Sequence, residues 1–361
     1  LVEGCSPANA SRLADELRQT VEEFPFLWQG KSFSISVSIG LINISGNTFS
    51  LAEVLTAADG ACYLAKEKGR NRIHVYERND AELSMRQGEM EWVGRIHRAL
   101  EEDRLCLYAQ DIVPSRGQGS ATGRHIEILV RMIDEQGVLV PPMAFIPAAE
   151  RYNLMPSIDR WVIRNTFSTL RQMRQAGETP SVDLCSINIS GASLGDERTL
   201  LFAVDQFGQF EIAHATICFE ITETAAIANL QKAQHFIQEL RKLGCKFSLD
   251  DFGAGMSSFA YLKHLSVDYL KIDGSFVKDM IKDPLDTAMV KSINHIGHVM
   301  GKLTIAEFVE NDEILARVRD LGVDYAQGYG IAKPAPFNEV ALRHSGIHRL
   351  ARLPATVDSE R

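Results

Sequence analysis

Leu105-Cys106-Leu107-Tyr108-Ala109-Gln110-Asp111-Ile112-Val113, a Gly- and Ser-rich turn over Pro114 to Gly123, and then His125-Ile126-Glu127-Ile128-Leu129-Val130-Arg131-Met132 decide the fold. Both flanks are apolar, strand-like runs, and the link between them is shorter than the dozen or more residues that a parallel crossover needs. The first two strands are therefore expected to be antiparallel. Outward from this pair, strand-like runs separated by helical ones recur at Val182 to Ser190, Thr216 to Thr222, Cys245 to Asp251, Tyr269 to Asp273, Leu303 to Phe308 and Tyr325 to Tyr329. Such alternation marks an α/β protein with a mostly parallel sheet, and eight runs predict a barrel.

Upstream, apolar residues fall at helical spacing from Ala8 to Phe24, alternate as a strand from Ser32 to Ile42, and return to helical spacing from Leu51 to Lys68, where Gly69 ends the helix. Arg72 to Tyr76 reads as a closing strand. A block this short is marginal for an independent core. The expected organisation is residues 1–78 as an incomplete α/β unit, 79–103 as a helical connector, 104–350 as the barrel and 351–361 as a frayed tail. Met85, Met90, Trp92, Val93, Ile96 and Leu100 are the expected buried contacts of the connector, and a surface helix belonging wholly to the barrel is the alternative.

The chain has 361 residues, 45% hydrophobic and 24% charged, as expected of a globular protein rather than a disordered one. No run approaches the length of a membrane span and no signal peptide opens it. Leu1 rather than Met comes first, so the reading expects a cytoplasmic portion of a longer parent, with membrane anchoring of that parent left open. Cys5, Cys62, Cys106, Cys185, Cys218 and Cys245 are dispersed without a CxxC pair, which favours reduced core thiols over a zinc site. A net charge of −9 argues against a nucleic-acid polymer as partner and leaves room for a small phosphate ligand.

In barrels of this class, chemistry sits at the C-terminal ends of the strands. There the sequence places Glu127, Asn188, Glu220 with Glu223, Asp250 with Asp251, Lys271, Glu307 and Gln327. One acid at a strand end is ordinarily a solvated cap; polar groups at nearly every end are costly unless cations bind them. Carboxylates with an amide oxygen, and no His or Cys, select magnesium or manganese, and five acids with one lysine suggest two ions. Such a pair suits in-line displacement at a phosphodiester, with Lys271 orienting water, neutralising charge or merely countering the acids. Asp251-Phe252-Gly253-Ala254-Gly255-Met256-Ser257-Ser258 reads as a lid carrying Asp251, or as an ordinary Gly-rich turn, and Glu223 is placed to hold it.

Glu127-Ile128-Leu129-Val130-Arg131 resembles the eponymous motif of EAL phosphodiesterases, and the resemblance runs from Leu105 to Pro336. Further matches are Phe145-Ile146-Pro147, Asn188-Ile189-Ser190, Glu220-Ile221-Thr222-Glu223, Asp250-Asp251-Phe252-Gly253, Leu270-Lys271-Ile272-Asp273, Ala306-Glu307 and Gln327-Gly328-Tyr329. The resemblance implies a modified TIM barrel with one antiparallel strand and hydrolysis of cyclic di-GMP to the linear dinucleotide. A cyclic di-GMP sensor without catalysis is the rival. By the same resemblance Glu127, Asn188, Glu220, Asp250, Asp251 and Glu307 surround two Mg2+ or Mn2+ ions. Lys271, Glu307 and Glu223 act in catalysis, and Gln110, Leu129, Arg131, Asp273 and Gln327 meet the ligand. Phe252, Gly253, Gly255, Ser257 and Ser258 form the mobile loop, near a homodimer contact through the barrel.

Departures from the family pattern are Asp111 for proline, Ile128 for alanine, Met256 for an aromatic and Phe308 for glycine after Glu307; strand alternation is expected to turn Phe308 away from the mouth. Ser38-Ile39-Gly40, Ala57-Ala58-Asp59-Gly60-Ala61-Cys62-Tyr63, Ala65-Lys66 and Gly69-Arg70-Asn71-Arg72 resemble the C-terminal part of GGDEF diguanylate cyclase domains. Their signature turn is missing from this sequence, so no cyclase activity is expected, and regulatory contact with upstream GGDEF or sensor regions is.

Overall fold

The structure, a computed structural model, describes residues 2–28, 31–33, 35–44, 54–55, 57–58, 61–62, 65–66, 71–76, 81–116, 124–177, 182–253 and 259–342. The chain divides into two compact units, Leu1–Gly94 and Arg95–Arg361.

In the first unit a helix spans Pro7–Glu22, started by the Ser6 hydroxyl, which accepts the Asn9 N–H at 3.3 Å, and by Pro7 in the first turn. Arg18 on this helix reaches Asp15 at 2.8 Å and Glu22 at 2.7 Å, and donates to Asn71 ahead of the strand Ile73–Val75. The single strand expected over Ser32 to Ile42 is two: Lys31–Phe33 pairs antiparallel with Phe26–Trp28, and Ile39–Leu41 pairs parallel with Ile73–Val75. Two sheets compete for the segment, and the irregular residues 35–38 let it serve both. The described residues between 54 and 66 are helical, with Ala57, Ala61 and Ala65 buried at four-residue spacing. Gly40 is required here, because a Cβ would run into the backbone of Ala58 to Cys62. Gly69 lies outside the described residues, as do the side chains of Met85 and Met90. The helix Ala81–Glu101 contains the division between the units, and Ile96 and Ala99 on it are buried.

The second unit is a closed eight-stranded barrel, with strands β1 (Leu105–Pro114), β2 (His125–Ile133), β3 (Leu184–Asn188), β4 (Ile217–Thr222), β5 (Lys246–Phe252), β6 (Tyr269–Ile272), β7 (Leu303–Ala306) and β8 (Tyr325–Ala326). The strands run round in sequence order, and β1 closes the ring by pairing antiparallel with both β2 and β8; every other junction is parallel. The short link between β1 and β2 thus fixes the direction of the one reversed strand. Asp111, in place of a proline, makes a 2.8 Å ion pair with Arg124 at the start of β2.

Residues alternating along the strands face outward under the helices: Ile126 and Ile128, Ile187, Phe219 and Ile221, Phe247 and Leu249, Leu270 and Ile272 are all buried. Phe236, from the helix Leu230–Leu243, meets Phe219 and Phe247 edge-on at 6.2 and 6.3 Å. Inward-facing residues make two layers of different chemistry. Among the described residues no helix is long and apolar enough to cross a membrane.

Candidate active site

The upper layer takes one polar residue from each strand: Gln110, Glu127, Asn188, Glu220, Asp250 and Lys271 lie in β1 to β6, and Glu307 and Gln327 immediately follow β7 and β8. All eight belong to one connected network. Lys271 Nζ stands at its centre, 2.8 Å from Glu307, 2.9 Å from Glu220, 3.1 Å from Asp250 and 3.4 Å from Glu127. Glu127 also accepts from Asn188 Nδ2 at 2.7 Å and from Gln327 Nε2 at 2.6 Å. Gln327 donates to Gln110 at 3.2 Å, and Gln110 to the Ala332 carbonyl at 2.8 Å.

Four carboxylates around one ammonium leave a surplus of negative charge in a buried space. Burial works against the Lys271 charge, yet Asp250, Glu127, Glu220 and Glu307 hold its pKa well above the ordinary lysine value. Burial also opposes ionisation of Glu127, but Lys271, Gln327 and Asn188 outweigh it and bring its pKa down. For the other acids the balance tips the opposite way. Burial, then the charges of Glu127 and Asp250, push Glu220 up to about 8 against the pull of Lys271, and burial with Asp250 raises Glu307 well above the carboxylate range. Asp250 is raised by burial and Glu127, and Asp251 is pushed up to about 6 by burial and Asp250. Acids that retain protons this strongly form a site that a divalent cation would complete, the cation replacing the protons.

Asp250 and Asp251 are adjacent, so regular alternation would send them to opposite faces of β5. The register between β5 and β6 shifts between Leu249 and Phe252, and Asp251 takes the left-handed conformation at φ 54°. This bulge re-aims the second carboxylate, and Asp250, Asp251 and Glu307 offer oxygens within 4.8 Å of one another, close enough to share an ion. Buried Glu220 keeps its Oε1 without a hydrogen-bond partner, a further hard donor for such an ion.

Glu223, buried just after β4, accepts from the Gly253 N–H at 2.9 Å and the Tyr261 hydroxyl at 2.5 Å, tying both sides of the loop that follows β5. Phe252 is buried beneath it, while Gly255, Met256, Ser257 and Ser258 lie outside the described residues. Asp273 caps the helix Gly274–Asp279 by accepting the Ser275 N–H at 2.7 Å, and its charge also reaches Asp251. Leu129 and Arg131 are half-buried further along β2, and the Arg131 guanidinium lies 5.5 Å over the Tyr108 ring.

Three features escaped the sequence reading. Tyr261 lies in no motif. Asp159, buried on the helix Met155–Gln175, accepts from Ser190 N at 3.0 Å and Ser190 Oγ at 2.6 Å and so fixes the turn after Asn188; its one signal was an acid on an apolar helix face. His125 sits beneath the network, 2.8 Å from Ser186 and flanked by Tyr269 and Tyr325, where burial and Lys271 lower its pKa to about 3. Phe308 lies past the end of its strand. β7 ends at Ala306, so alternation no longer governs position 308; the residue adopts φ 52°, lays its ring on Gly274 and stays 57% exposed.

The family model described as EAL domain matches residues 93–334. The chain belongs to the EAL-domain family. Residues 1–72 match the model described as diguanylate cyclase, GGDEF domain. The EAL-domain chain is 44% identical over 306 residues to the cyclic di-GMP phosphodiesterase PdeB of Shewanella oneidensis, covering 84% of this chain and 35% of that protein. It is 33% identical to PdeF of Escherichia coli, a cyclic di-GMP phosphodiesterase, over 88% of this chain and 41% of PdeF. The chain thus spans well under half the length of these relatives. Among solved structures, the FimX EAL domain of Pseudomonas aeruginosa bound to c-di-GMP superposes with a TM-score of 0.63 at 30% identity, covering 70% of this chain and 100% of that one. A complex of the PaMucR phosphodiesterase with c-di-GMP gives 0.63 at 27% identity, covering 69% and 99%.

Proposed function

We propose that the EAL domain of this chain is a metal-dependent phosphodiesterase that hydrolyses cyclic di-GMP to linear pGpG. The observation that carries the reading is the eight-residue network, in which each strand or the residue just after it contributes one polar group and four acids surround the single lysine of the network. Relatives named as cyclic di-GMP phosphodiesterases, and the c-di-GMP-bound EAL structures, support the choice of substrate.

Glu127, Asn188, Glu220, Asp250, Asp251 and Glu307 would hold two Mg2+ or Mn2+ ions, consistent with a donor set made only of hard oxygens. Bound ions supply Lewis acidity toward the phosphoryl group and acidify a water molecule. The protein's own part is positioning. Lys271 counters negative charge that develops on the diester and orients the attacking water. Glu223 keeps Asp251 in reach by fixing the turn at Gly253, and Arg131 offers a planar donor pair to a phosphate oxygen. Gln110, Leu129, Asp273 and Gln327 line the approach to the ligand. A homodimer through this domain, control by regions upstream and placement of this portion in the cytoplasm complete the proposal, and rest on the family resemblance.

Incubation of the purified chain with cyclic di-GMP and Mg2+, followed by chromatography, tests it. Product that forms with Mg2+ and stops on adding EDTA is expected. Tight binding of cyclic di-GMP with no product would make the domain a sensor, and an absence of both would remove the substrate assignment.

A further inference from the structure

Phe308 is the anomaly of the barrel mouth. It directly follows Glu307, whose carboxylate is 2.8 Å from Lys271, and so it stands at the rim of the charged network. Its φ of 52° lies in the left-handed region, which is unfavourable for a bulky side chain, and 57% of it is exposed. Neither feature helps folding. One side of the ring rests on Gly274, where a Cβ would come within 2.6 Å of the ring's Cγ. Gly274 in turn follows Asp273, at the end of the neighbouring strand β6. Gly274 has no positive φ, so its lack of a side chain serves to admit the ring. A strained backbone, an exposed flat apolar surface and a notch beneath it together amount to a shelf held beside the reacting centre. Strain retained at the edge of a site is itself a reason to look for a role there.

We propose that Phe308 is a base-stacking platform that receives one guanine of the cyclic dinucleotide on its exposed side, with Gly274 setting the height of the ring. The inference rests on the cyclic di-GMP reading above and adds a specificity-determining residue to it. A purine offers a flat face to any aromatic ring, and such stacking is sequence-tolerant but strong. The platform therefore sets affinity for the nucleobases, while the acids and Lys271 act on the phosphodiester.

Steady-state kinetics on the purified chain test this. Phe308→Ala is expected to raise KM for cyclic di-GMP about tenfold, with kcat within about threefold, and Phe308→Trp to restore KM. Phe308→Gly separates stacking from folding: it relieves the left-handed strain, so it should melt no lower than the parent yet show the same high KM. Gly274→Ala should lift the ring and raise KM in the parent, and change nothing further in the Phe308→Ala background. The cyclic ribose-phosphate skeleton without bases should be cleaved alike by the parent and Phe308→Ala. If the parent hydrolyses cyclic di-GMP and Phe308→Ala keeps its KM within twofold, the platform is overturned and the phosphodiesterase reading stands. A variant that alters sedimentation without altering KM would overturn it equally, assigning the ring to a protein contact. A parent without activity on cyclic di-GMP removes the reading beneath both.

Discussion

Two layers inside the same barrel, one step apart along the strands, have opposite chemistry. The upper holds Glu127, Glu220, Asp250 and Glu307 around Lys271, with three of the four acids raised in pKa. The lower holds Ile112, Ile305 and Tyr325 packed with Tyr269, beside His125 and Ser186, which share a 2.8 Å hydrogen bond. Both are buried and both are built by the same alternation, so the fold does not require the charge. What separates them is access to the mouth. The lower layer serves stability, and under the proposed function the upper is what the barrel gives up for chemistry.

The sharpest way to break that contrast is to remove an upper carboxylate. Asp250→Asn should lower kcat by at least about a hundredfold while the metal-free protein melts at the same temperature or higher, because a source of repulsion is gone. A melt that falls sharply would show that the acid is structural. Next comes the support of the loop. Glu223→Ala, read by turnover, should lose about ten- to a hundredfold, and Tyr261→Phe, which removes one of the two bonds, should lose less. Full activity in Glu223→Ala would detach the loop from the site.

The layers should also respond differently to pH. Acids raised in the folded protein bind more protons there than in the unfolded chain, so their contribution is present at low pH and lost as pH rises through their folded values. With Asp251 raised to about 6 and Glu220 to about 8, melting of the EDTA-treated protein should fall from about pH 4, the ordinary carboxylate value, up to about pH 8, and the gain from Mg2+ should be larger at the upper end. An Mg2+ gain that is flat with pH would contradict the exchange of protons for metal. The smallest effect belongs to the lower layer. Ile305→Val should cost about 0.5–1.5 kcal/mol in a denaturant titration and leave kcat within about twofold.

How much of this was legible in the sequence follows from the same contrast. The reversed first strand came from the length of one turn, and the upper layer from the polar residues at the ends of apolar runs, since a charge there needs a reason. The bulge at Asp250 and Asp251 did not, because a register shift is a property of the pairing with β6 and leaves the composition unchanged. Tyr261 and Asp159 were invisible for a related reason: their partners Glu223 and Ser190 are 38 and 31 residues away, and only the fold brings them together. The left-handed backbone at Phe308 was not legible, because position 308 lies past the last residue of β7, where alternation says nothing.

The number of ions bound tests the central claim most directly. The purified chain, dialysed against Mn2+ with cyclic di-GMP present and then assayed for metal, should hold two ions, and Asp250→Asn fewer than two. No bound metal in the parent, or an unchanged count in the variant, would mean that the surplus of acids in the upper layer is not a metal centre.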